Sequence, residues 1–352
     1  MRSLRQRWAD GERVIGGWLS IPATLSAEVM ARAGFDYVCV DTQHGAVEYQ
    51  AAVELIRAIE HGGSTPIVRV PWNEPGIIGK MLDAGAEGII VPMVNTVAEA
   101  EAAVRACRYA PNGSRSFGPT VARIRRADYV AWAEEHVAVI PMIETREAVE
   151  NLPAILEVPG IDAVYVGPAE LSLTLGLPPG NNDGESAFDE AYATIVAHCA
   201  DAGVVPGCHA SGALTPTRFA QGFRMVTASS DQLAMAAGAA AELDAARGIV
   251  TTDPAGGSLY WDTVGGSVAT RRDDGAAQPV LPSRIITVLR SAWNSRAWSP
   301  PSRPIPEIPQ PPNGAVRSRT RKVLTQMRPA RSPRPSRSAR SRERVWTMAL
   351  SP

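Results

Sequence analysis

Apolar and polar positions alternate along residues 14–230 in two distinct patterns. Short apolar runs rich in β-branched side chains predict buried strands. Between most of them lie stretches rich in Ala, Glu, Leu and Arg, often followed by Gly, and these predict helices. The apolar runs are VIGGWLSI (14–21), YVCVD (37–41), PIVRV (66–70), GIIVPM (88–93), AVIPMIE (138–144), AVYVGP (163–168), VVPGCHA (204–210) and RMVTASS (224–230).

Eight predicted strands alternating with helices over about 240 residues have the size and rhythm of a (β/α)8 barrel. An open, doubly wound sheet would show the same alternation. However, no glycine-rich GxGxxG or GxxxxGK[ST] turn follows the first strand, which argues against a nucleotide-binding sheet. We therefore predict an α/β protein whose residues 1–250 form a (β/α)8 TIM barrel.

Composition divides the chain near residue 250. The totals of 35 Lys+Arg and 36 Asp+Glu almost balance, but arginine and proline are concentrated beyond residue 250, as in SPPSRPIPEIPQPPNG. Such a segment buries too little apolar surface to offset its ordering entropy, so we expect residues 251–352 to be a disordered basic extension. The alternative is an arm that binds nucleic acid or an acidic partner. The segment lacks the interleaved aromatic residues of single-strand binders, so we expect no nucleic-acid partner.

The cysteines and the apolar runs bear on the cellular compartment. The four cysteines form no CxxC pair, which predicts reduced thiols in a cytoplasmic protein rather than disulfides or a zinc site. No apolar run reaches the roughly 18–20 residues of a membrane span. The amino terminus lacks the apolar region of a secretory signal. We expect a cytoplasmic protein that does not bind membranes.

Polar and ionisable residues stand where several of the predicted strands end, and the carboxyl ends of barrel strands form the active site. Each residue has a structural alternative: Asp41 could cap a helix, Arg69 could form a surface ion pair, and Glu144 could stabilise a helix amino terminus. Their convergence on one rim of the barrel favours a functional role. The residues at these ends are Asp41, His44, Arg69, Glu144, Glu170 and His209.

These side chains suit one kind of chemistry. Glu144 and Glu170 on adjacent strands can hold a hard divalent cation such as Mg²⁺, Mn²⁺ or Co²⁺. The cation and Arg69 would polarise a 2-oxo acid and stabilise its enolate. His44, oriented and made more basic by a nearby acid, would move a proton. No lysine stands at a strand end, which argues against a Schiff-base aldolase.

Several long motifs, in the same order, resemble those of the HpcH/HpaI aldolase family of class II pyruvate aldolases. They are DTQHG, PIVRVPWNEPGIIGKMLDAGAEGIIVPMVNT, RYAPNGSRSFGP, PMIETREAVENL and VGPAELSLTLG, within residues 14–248. The resemblance implies a (β/α)8 barrel whose last helix is often exchanged between subunits, usually in a hexamer built of dimers. It also implies reversible cleavage of a 4-hydroxy-2-oxo acid to pyruvate and an aldehyde.

The same resemblance implies roles for individual residues. His44 matches the family's base, and Arg69 matches the arginine that stabilises the enolate. Asp83 matches an acid that raises the proton affinity of the base, contributed in the family by a neighbouring subunit. Glu144 matches a metal ligand, and Ala169 matches a backbone position that binds substrate.

Two positions depart from the family's pattern. Glu170 stands where the family has an aspartate that binds metal and contacts substrate, and Met142 stands where it commonly has a substrate-contacting glutamine. We expect Glu170 still to bind metal and substrate and Met142 still to contact substrate, although Met142 cannot donate a hydrogen bond.

Two alternatives stay open. One is a citrate-lyase-like enzyme acting on a CoA thioester, for which VARIRRADYV (121–130) is the candidate basic arm. The other is a barrel that binds a keto acid without turnover.

Overall fold

The fold is built on eight parallel strands. A computed structural model describes residues 2–248. Hydrogen bonding joins the strands in the order β5-β4-β3-β2-β1-β8-β7-β6. Each predicted apolar run overlaps one of them. The strands are β1 (Val14–Leu19), β2 (Tyr37–Asp41), β3 (Thr65–Arg69), β4 (Gly88–Val91), β5 (Ala138–Pro141), β6 (Ala163–Val166), β7 (Val205–His209) and β8 (Met225–Ser230).

Strands β5 and β6, at the two ends of this order, close the sheet into a nearly complete barrel. Met142, the residue after β5, forms a parallel bridge with Tyr165 of β6. The N–H of Ile143 donates to the Tyr165 carbonyl at 2.9 Å. An open sheet would leave both edges unpaired. The predicted barrel is therefore confirmed, and the open-sheet alternative does not hold.

Helices connect the strands around the outside of the barrel. One helix follows each of β1, β2, β3, β7 and β8, three lie between β4 and β5, and two follow each of β5 and β6. Several end on a glycine in the left-handed conformation, as predicted from the sequence. The helices are α1 (Leu4–Ala9), α2 (Thr24–Arg32), α3 (Tyr49–Gly62), α4 (Pro75–Ala84), α5 (Val97–Cys107), α6 (Ala122–Arg125), α7 (Tyr129–His136), α8 (Arg146–Glu150), α9 (Leu152–Leu156), α10 (Pro168–Leu175), α11 (Ser186–Ala202), α12 (Thr215–Gln221) and α13 (Asp231–Ala246).

The sheet separates two apolar layers because successive side chains of a strand point to opposite faces. On β2, Val38 and Val40 pack outward against the helices, whereas Tyr37 and Cys39 point into the barrel. Gly16 on β1 makes room for the inward ring of Tyr37, which a Cβ at this position would overlap. The strand period thus decides which residues reach the barrel mouth.

Helix α1 covers the amino end of the barrel. Its residues Leu4 and Trp8 join the inner apolar layer, and Ser3 starts the helix with a reciprocal capping box. The polar strand ends therefore lie at the opposite, carboxyl end, where barrel enzymes carry their active sites.

The structure also bears on the predicted compartment and tail. All four cysteines are buried free thiols in the described structure. Among residues 2–248, no helix has both the length and the apolar character needed to cross a bilayer. The predicted domain boundary at residue 250 and the extension over 251–352 fall outside the described residues.

Candidate active site

The ends of β2 and β3 form the centre of the site. Asp41 and Arg69 are partners in the parallel register of these strands. Arg69 donates from Nε to Asp41 Oδ1 at 3.0 Å and from Nη2 to Asp41 Oδ2 at 2.6 Å. Trp18 of β1 donates from its indole N–H to Asp41 Oδ2 at 3.2 Å, and its ring centroid lies 4.9 Å from Arg69 Cζ. The guanidinium is therefore fixed in orientation by a bidentate ion pair and an aromatic face.

Both members of this ion pair are charged. Asp41 is 3% exposed, and burial alone would raise the pKa of its carboxyl. The charge and hydrogen bonds of Arg69 outweigh burial, and the pKa of Asp41 is lowered from its ordinary value. Burial would likewise lower the pKa of Arg69, but Asp41 raises it. The pair thus places a permanent positive charge at the barrel mouth.

His44 lies in the segment 42–46 that follows β2. Asp41 Oδ1 accepts the backbone N–H groups of Gln43 at 3.0 Å and His44 at 3.2 Å. Thr42 donates its hydroxyl to the Arg69 carbonyl at 2.7 Å. The His44 residue is exposed at the mouth. Asp41 therefore contacts the main chain of His44 rather than its ring, and it positions this segment instead of acting as the helix cap considered above, because the cap of α3 is Glu48.

Glu144 is buried behind the end of β5. It is 2% exposed, and its Oε1 accepts the backbone N–H of Met93 at 2.8 Å. Met93 has a φ of 55°, the one positive value at a non-glycine residue within residues 2–248. This conformation costs on the order of 1 kcal/mol, so the surrounding packing must hold it. The helix-terminus alternative for Glu144 does not hold, because α8 begins at Arg146 and its cap is Thr145.

Glu144 and Glu170 form a pair of interacting carboxylates. Burial raises the pKa of Glu144 and is the largest effect; the Met93 N–H and Arg69 oppose it, the charge of Glu170 adds to it, and the resulting pKa is about 7. Gly167 is required beside Glu144, since a Cβ there would lie 2.5 Å from Glu144 Oε2. Two hard oxygen donors that repel each other suit a divalent cation. In the described part of the chain, no third His, Cys, Asp or Glu joins them.

Helix α10 begins beside this pair. Gly167 is its N-cap, and in the described structure no side chain caps the helix. Pro168 has no N–H, so the first free donors are the backbone N–H groups of Ala169 and Glu170. The amino end of a helix favours anions. These two N–H groups are therefore suited to a substrate carboxylate, and Glu170 lies in the first turn of the helix.

Asp83 forms an ion pair with Arg115 and not with His44 of the same chain. Its Oδ1 accepts a hydrogen bond from Arg115 Nη2 at 2.6 Å, and the Arg115 side chain is 1% exposed. Within residues 2–248, no hydrogen bond connects Asp83 with His44. One chain alone therefore does not bring this acid to the predicted base. Its contribution from a neighbouring subunit stays a prediction.

The sequence profile of the HpcH/HpaI aldolase/citrate lyase family matches residues 15–237. The chain belongs to this family. It is an enzyme of the aldolase type. A hydroxypyruvate/pyruvate aldolase from Rhizorhabdus wittichii is 43% identical over 246 residues, which cover 69% of this chain and 97% of that protein. A 4-hydroxy-2-oxo-heptane-1,7-dioate aldolase from Shigella sonnei is 40% identical over 203 residues, which cover 56% of this chain and 76% of that protein.

A solved structure has the same fold. The HpcH/HpaI aldolase/citrate lyase family protein from Burkholderia cenocepacia superimposes with a TM-score of 0.66 and 32% sequence identity. The superposition covers 70% of this chain and 100% of the Burkholderia cenocepacia chain. The match thus extends over the whole barrel of that family member.

The site of this aldolase-family barrel also contains residues that sequence motifs did not reveal. Tyr165 and Thr227 lie inside the barrel, where the Tyr165 hydroxyl donates to Thr227 Oγ1 at 2.6 Å. Tyr165 also contacts His209, with 3.4 Å between its hydroxyl and Nδ1. The ring centroid of Trp18 lies 5.2 Å from that of His209, edge to face. The signal that could have found Trp18 and Tyr165 is the two-residue period of β1 and β6, which turns both side chains inward.

His209 and Met142 complete the inner surface. Burial lowers the pKa of His209 to about 4; Arg69 lowers it as well, and Asp41 raises it. His209 is therefore a neutral imidazole at pH 7. Met142 is 1% exposed and belongs to the inner apolar layer. A Cβ built at Gly167 would lie 3.0 Å from Met142 Cε and 2.5 Å from Glu144 Oε2, so this thioether lies near the Glu144 carboxylate.

Proposed function

We propose that the chain is a divalent-metal-dependent aldolase that reversibly cleaves a 4-hydroxy-2-oxo acid to pyruvate and an aldehyde. The observation that carries the proposal is the pair Glu144 and Glu170 beside the fixed guanidinium of Arg69. The pair offers a cation two carboxylates, and the guanidinium offers an oxyanion a permanent charge. Similarity to pyruvate aldolases over nearly the whole length of one relative supports the reaction class.

The acidic pair and the start of α10 would bind the substrate. Glu144 and Glu170 would hold Mg²⁺, Mn²⁺ or Co²⁺, which supplies a Lewis acid toward the 2-oxo acid. The N–H groups of Ala169 and Glu170 would bind the substrate carboxylate. Met142 would contact the substrate as an apolar wall, because a thioether donates no hydrogen bond.

Proton transfer and charge stabilisation would fall to His44 and Arg69. In the cleavage direction the bond between C3 and C4 breaks, and His44 takes the proton of the C4 hydroxyl as the aldehyde forms. The electron pair of the broken bond passes into the enolate of pyruvate, whose oxygen Arg69 stabilises. Asp41 uses Nε and Nη2 of Arg69, so Nη1 is left for that oxygen. A proton returned to C3 gives pyruvate.

Two competing chemistries receive no support from the site. Lys80, the one lysine within residues 2–248, lies on α4 with its Nζ 4.1 Å from the Tyr49 ring centroid, not at a strand end. For the CoA-thioester alternative, two of the three arginines in the basic arm at 121–130 already pair with carboxylates. Arg126 donates to Glu87 at 2.6 Å, and Arg125 pairs with Glu60. Glu87 directly precedes β4, at the amino end of the barrel.

We also propose a homo-oligomer, either a hexamer or a smaller dimer-based assembly. Asp83 would then act on His44 of another subunit. Helix α13 has mostly exposed side chains, with Met235 61% and Leu243 49% exposed, in keeping with exchange of the last helix between subunits. A cytoplasmic location is the expectation that goes with the four free thiols.

The proposal is tested by a coupled assay on the full-length protein. Added Mg²⁺, Mn²⁺ or Co²⁺ should support release of pyruvate, detected with lactate dehydrogenase, from 4-hydroxy-2-oxo acids of several lengths. EDTA should abolish the release, and the metal should restore it. Borohydride added with pyruvate should leave the mass of the protein unchanged. A covalent lysine adduct, or turnover that resists EDTA, would contradict the proposal.

A variant of the proposed base tests its role in the same assay. His44→Ala should lower kcat by roughly 10²–10⁴-fold, the usual scale for a positioned proton carrier. Its metal affinity, measured by calorimetry, should stay unchanged because the ring holds no cation. Exposed His61→Ala should retain the parental kcat. Parental turnover by His44→Ala would show that His44 is only a turn residue.

A further inference from the structure

Asp231 is a buried carboxylate at the carboxyl end of the barrel that no motif or proposed step has used. It is 3% exposed and is the first residue of α13, directly after β8. Its Oδ1 accepts the backbone N–H groups of Ser20 at 3.0 Å and Gln232 at 2.8 Å. Its Oδ2 accepts the N–H of Ile21 and the hydroxyl of Ser26, each at 3.1 Å. Within residues 2–248 it forms no ion pair.

Three of these four donors belong to one short stretch. Ser20 and Ile21 connect β1 to α2, and Ser26 lies in the first turn of α2. Asp231 therefore ties this connection to the start of α13. A buried carboxylate that satisfies several neutral donors holds their positions, because moving any of them leaves an unpaired polar group.

The β1–α2 connection is in turn packed on the segment that carries His44. The carbonyl of Ser20 accepts the N–H of Ala46 at 3.0 Å. Gly45 lies directly on this connection, since a Cβ there would be 3.1 Å from Ser20 Cα and would overlap the Asp41 carbonyl. Asp41 fixes one side of segment 42–46, and Ser20 fixes the other. Only the Ser20 contact depends on Asp231.

A bulge in the sheet brings Asp231 within reach. Gly16 pairs with Thr227, but Gly17 pairs with Ser229, so Ala228 is an extra residue in β8. Trp18 then pairs with Ser230, which directly precedes Asp231. Bulges of this kind re-aim side chains and are common next to active sites. Here the bulge aligns the Asp231 carboxylate with the N–H groups of Ser20 and Ile21.

We propose that Asp231 is a positioning residue that fixes the His44 segment through Ser20. The expected effect of Asp231 on kcat rests on the proposed function of His44, whereas its effect on the order of segment 42–46 does not. Asp231→Asn keeps the volume but turns an amide NH₂ toward a donor. Either the Ile21 N–H or the Ser20 N–H then loses its acceptor.

The test compares Asp231→Asn with Asp162→Asn in the full-length protein. Asp162 is a matched control at the opposite end of the barrel: it directly precedes β6, its Oδ2 accepts the Val139 N–H at 2.9 Å, and its side chain is 11% exposed. Hydrogen exchange of a peptide covering 42–48 reports on the segment. Thermal unfolding reports on the fold, and the pyruvate assay gives kcat and KM.

Asp231→Asn should speed exchange of the 42–48 peptide by about tenfold or more, because the Ala46 N–H loses its fixed acceptor. It should lower kcat by about 10–100-fold, the scale for misplacing a reacting group, with KM changed by less than about threefold. Asp162→Asn should lower the melting temperature but leave kcat and this peptide unchanged. Ser26→Ala, which removes one of the four contacts, should give a smaller change of the same kind and serves if Asp231→Asn does not fold.

Unchanged exchange at 42–48 in a folded Asp231→Asn or Ser26→Ala protein would overturn the proposal. Equal effects of Asp162→Asn on that peptide and on kcat would overturn it as well. If the parent protein cleaves no 2-oxo acid, the proposed function fails. The exchange comparison then decides the positioning role by itself.

Discussion

Two buried acids at the barrel mouth illustrate how a single partner sets the charge of a carboxylate. Asp41 and Glu144 are 3% and 2% exposed. Burial raises the pKa of both, but Asp41 forms two charged hydrogen bonds with Arg69 and its pKa is lowered. Glu144 has one backbone donor and a carboxylate neighbour, and its pKa rises to about 7. Asp41 is thus a permanent anchor for Arg69, whereas Glu144 forms no ion pair within residues 2–248.

Reverting Glu170→Asp is the sharpest test at the residue scale. Glutamate carries its carboxylate farther from the backbone than aspartate by about one bond, 1.5 Å, and ordering the longer side chain costs more entropy. We expect Glu170→Asp to bind Mn²⁺ more tightly, or to raise kcat/KM for aldol cleavage, by several-fold, equivalent to about 1 kcal/mol. Calorimetric titration with Mn²⁺ and the pyruvate assay measure the two quantities.

The matched control is Glu147→Asp, the same change at an exposed acid of α8. It should alter neither metal affinity nor kcat/KM. If Glu170→Asp instead weakens both, the pocket is adapted to the longer ligand, and Met142 as an apolar neighbour becomes the residue to revert with it.

At the scale of elements, the strands place residues in the site because their inward rows run to the strand end, or just beyond it. On β5 the inward row Ala138, Ile140 and Met142 leads to Glu144. On β3 the inward row leads from Ile67 to Arg69. Strand β7 ends on His209, and burial keeps its ring neutral by lowering its pKa.

The His209 ring makes stability depend on pH. Its pKa is about 4 in the fold against about 6.5 in an unfolded chain. Between these values the unfolded chain binds a proton that the folded chain does not, so stability falls as the pH falls from 6.5 toward 4. From pH 7.5 to 5.0 this amounts to about 2 kcal/mol.

His209→Gln should therefore lose about 2 kcal/mol less unfolding free energy between pH 7.5 and pH 5.0 than the parent. Urea unfolding at the two pH values measures the difference. His61→Gln, at a side chain that is 72% exposed, is the control and should follow the parent. Equal losses in the parent and in His209→Gln would mean that the ring is already protonated in the fold.

The element pattern also explains how far the sequence could be read. Apolar runs located all eight strands, and because strand ends meet at one rim, Asp41, Arg69 and Glu144 could be grouped before any coordinates. What escaped depends on geometry that a pattern does not contain. The positive φ of Met93 and the β8 bulge that aligns Asp231 are backbone features. The hydrogen bonds of Asp41 to Arg69 and to the backbone of Gln43 and His44 depend on which donors lie near its carboxylate in three dimensions.

At the scale of the whole molecule, the two ends of the barrel have separate tasks. Helix α1 and Asp162 secure the amino end, where Arg5 Nε lies 2.7 Å from Asp162 Oδ1. The carboxyl end holds the site, and α13 contributes to it through Asp231 alone among its buried residues. The last structural contribution to the site within residues 2–248 therefore comes from the start of α13.

This arrangement predicts where the chain can be shortened. The eighth strand ends at Ser230, α13 ends at Ala246, and the family profile matches only to residue 237. A chain ending at Thr252 should therefore keep the melting temperature within about 2 °C and kcat/KM within about twofold, with the same number of subunits in the oligomer by light scattering. A chain ending at Ser230 is the control: it lacks Asp231, so Ser20, Ile21 and Ser26 lose their shared acceptor, and both stability and turnover should fall. If the chain ending at Thr252 also unfolds or changes its number of subunits, the Pro- and Arg-rich segment packs on the barrel, and the predicted division of the chain near residue 250 is wrong.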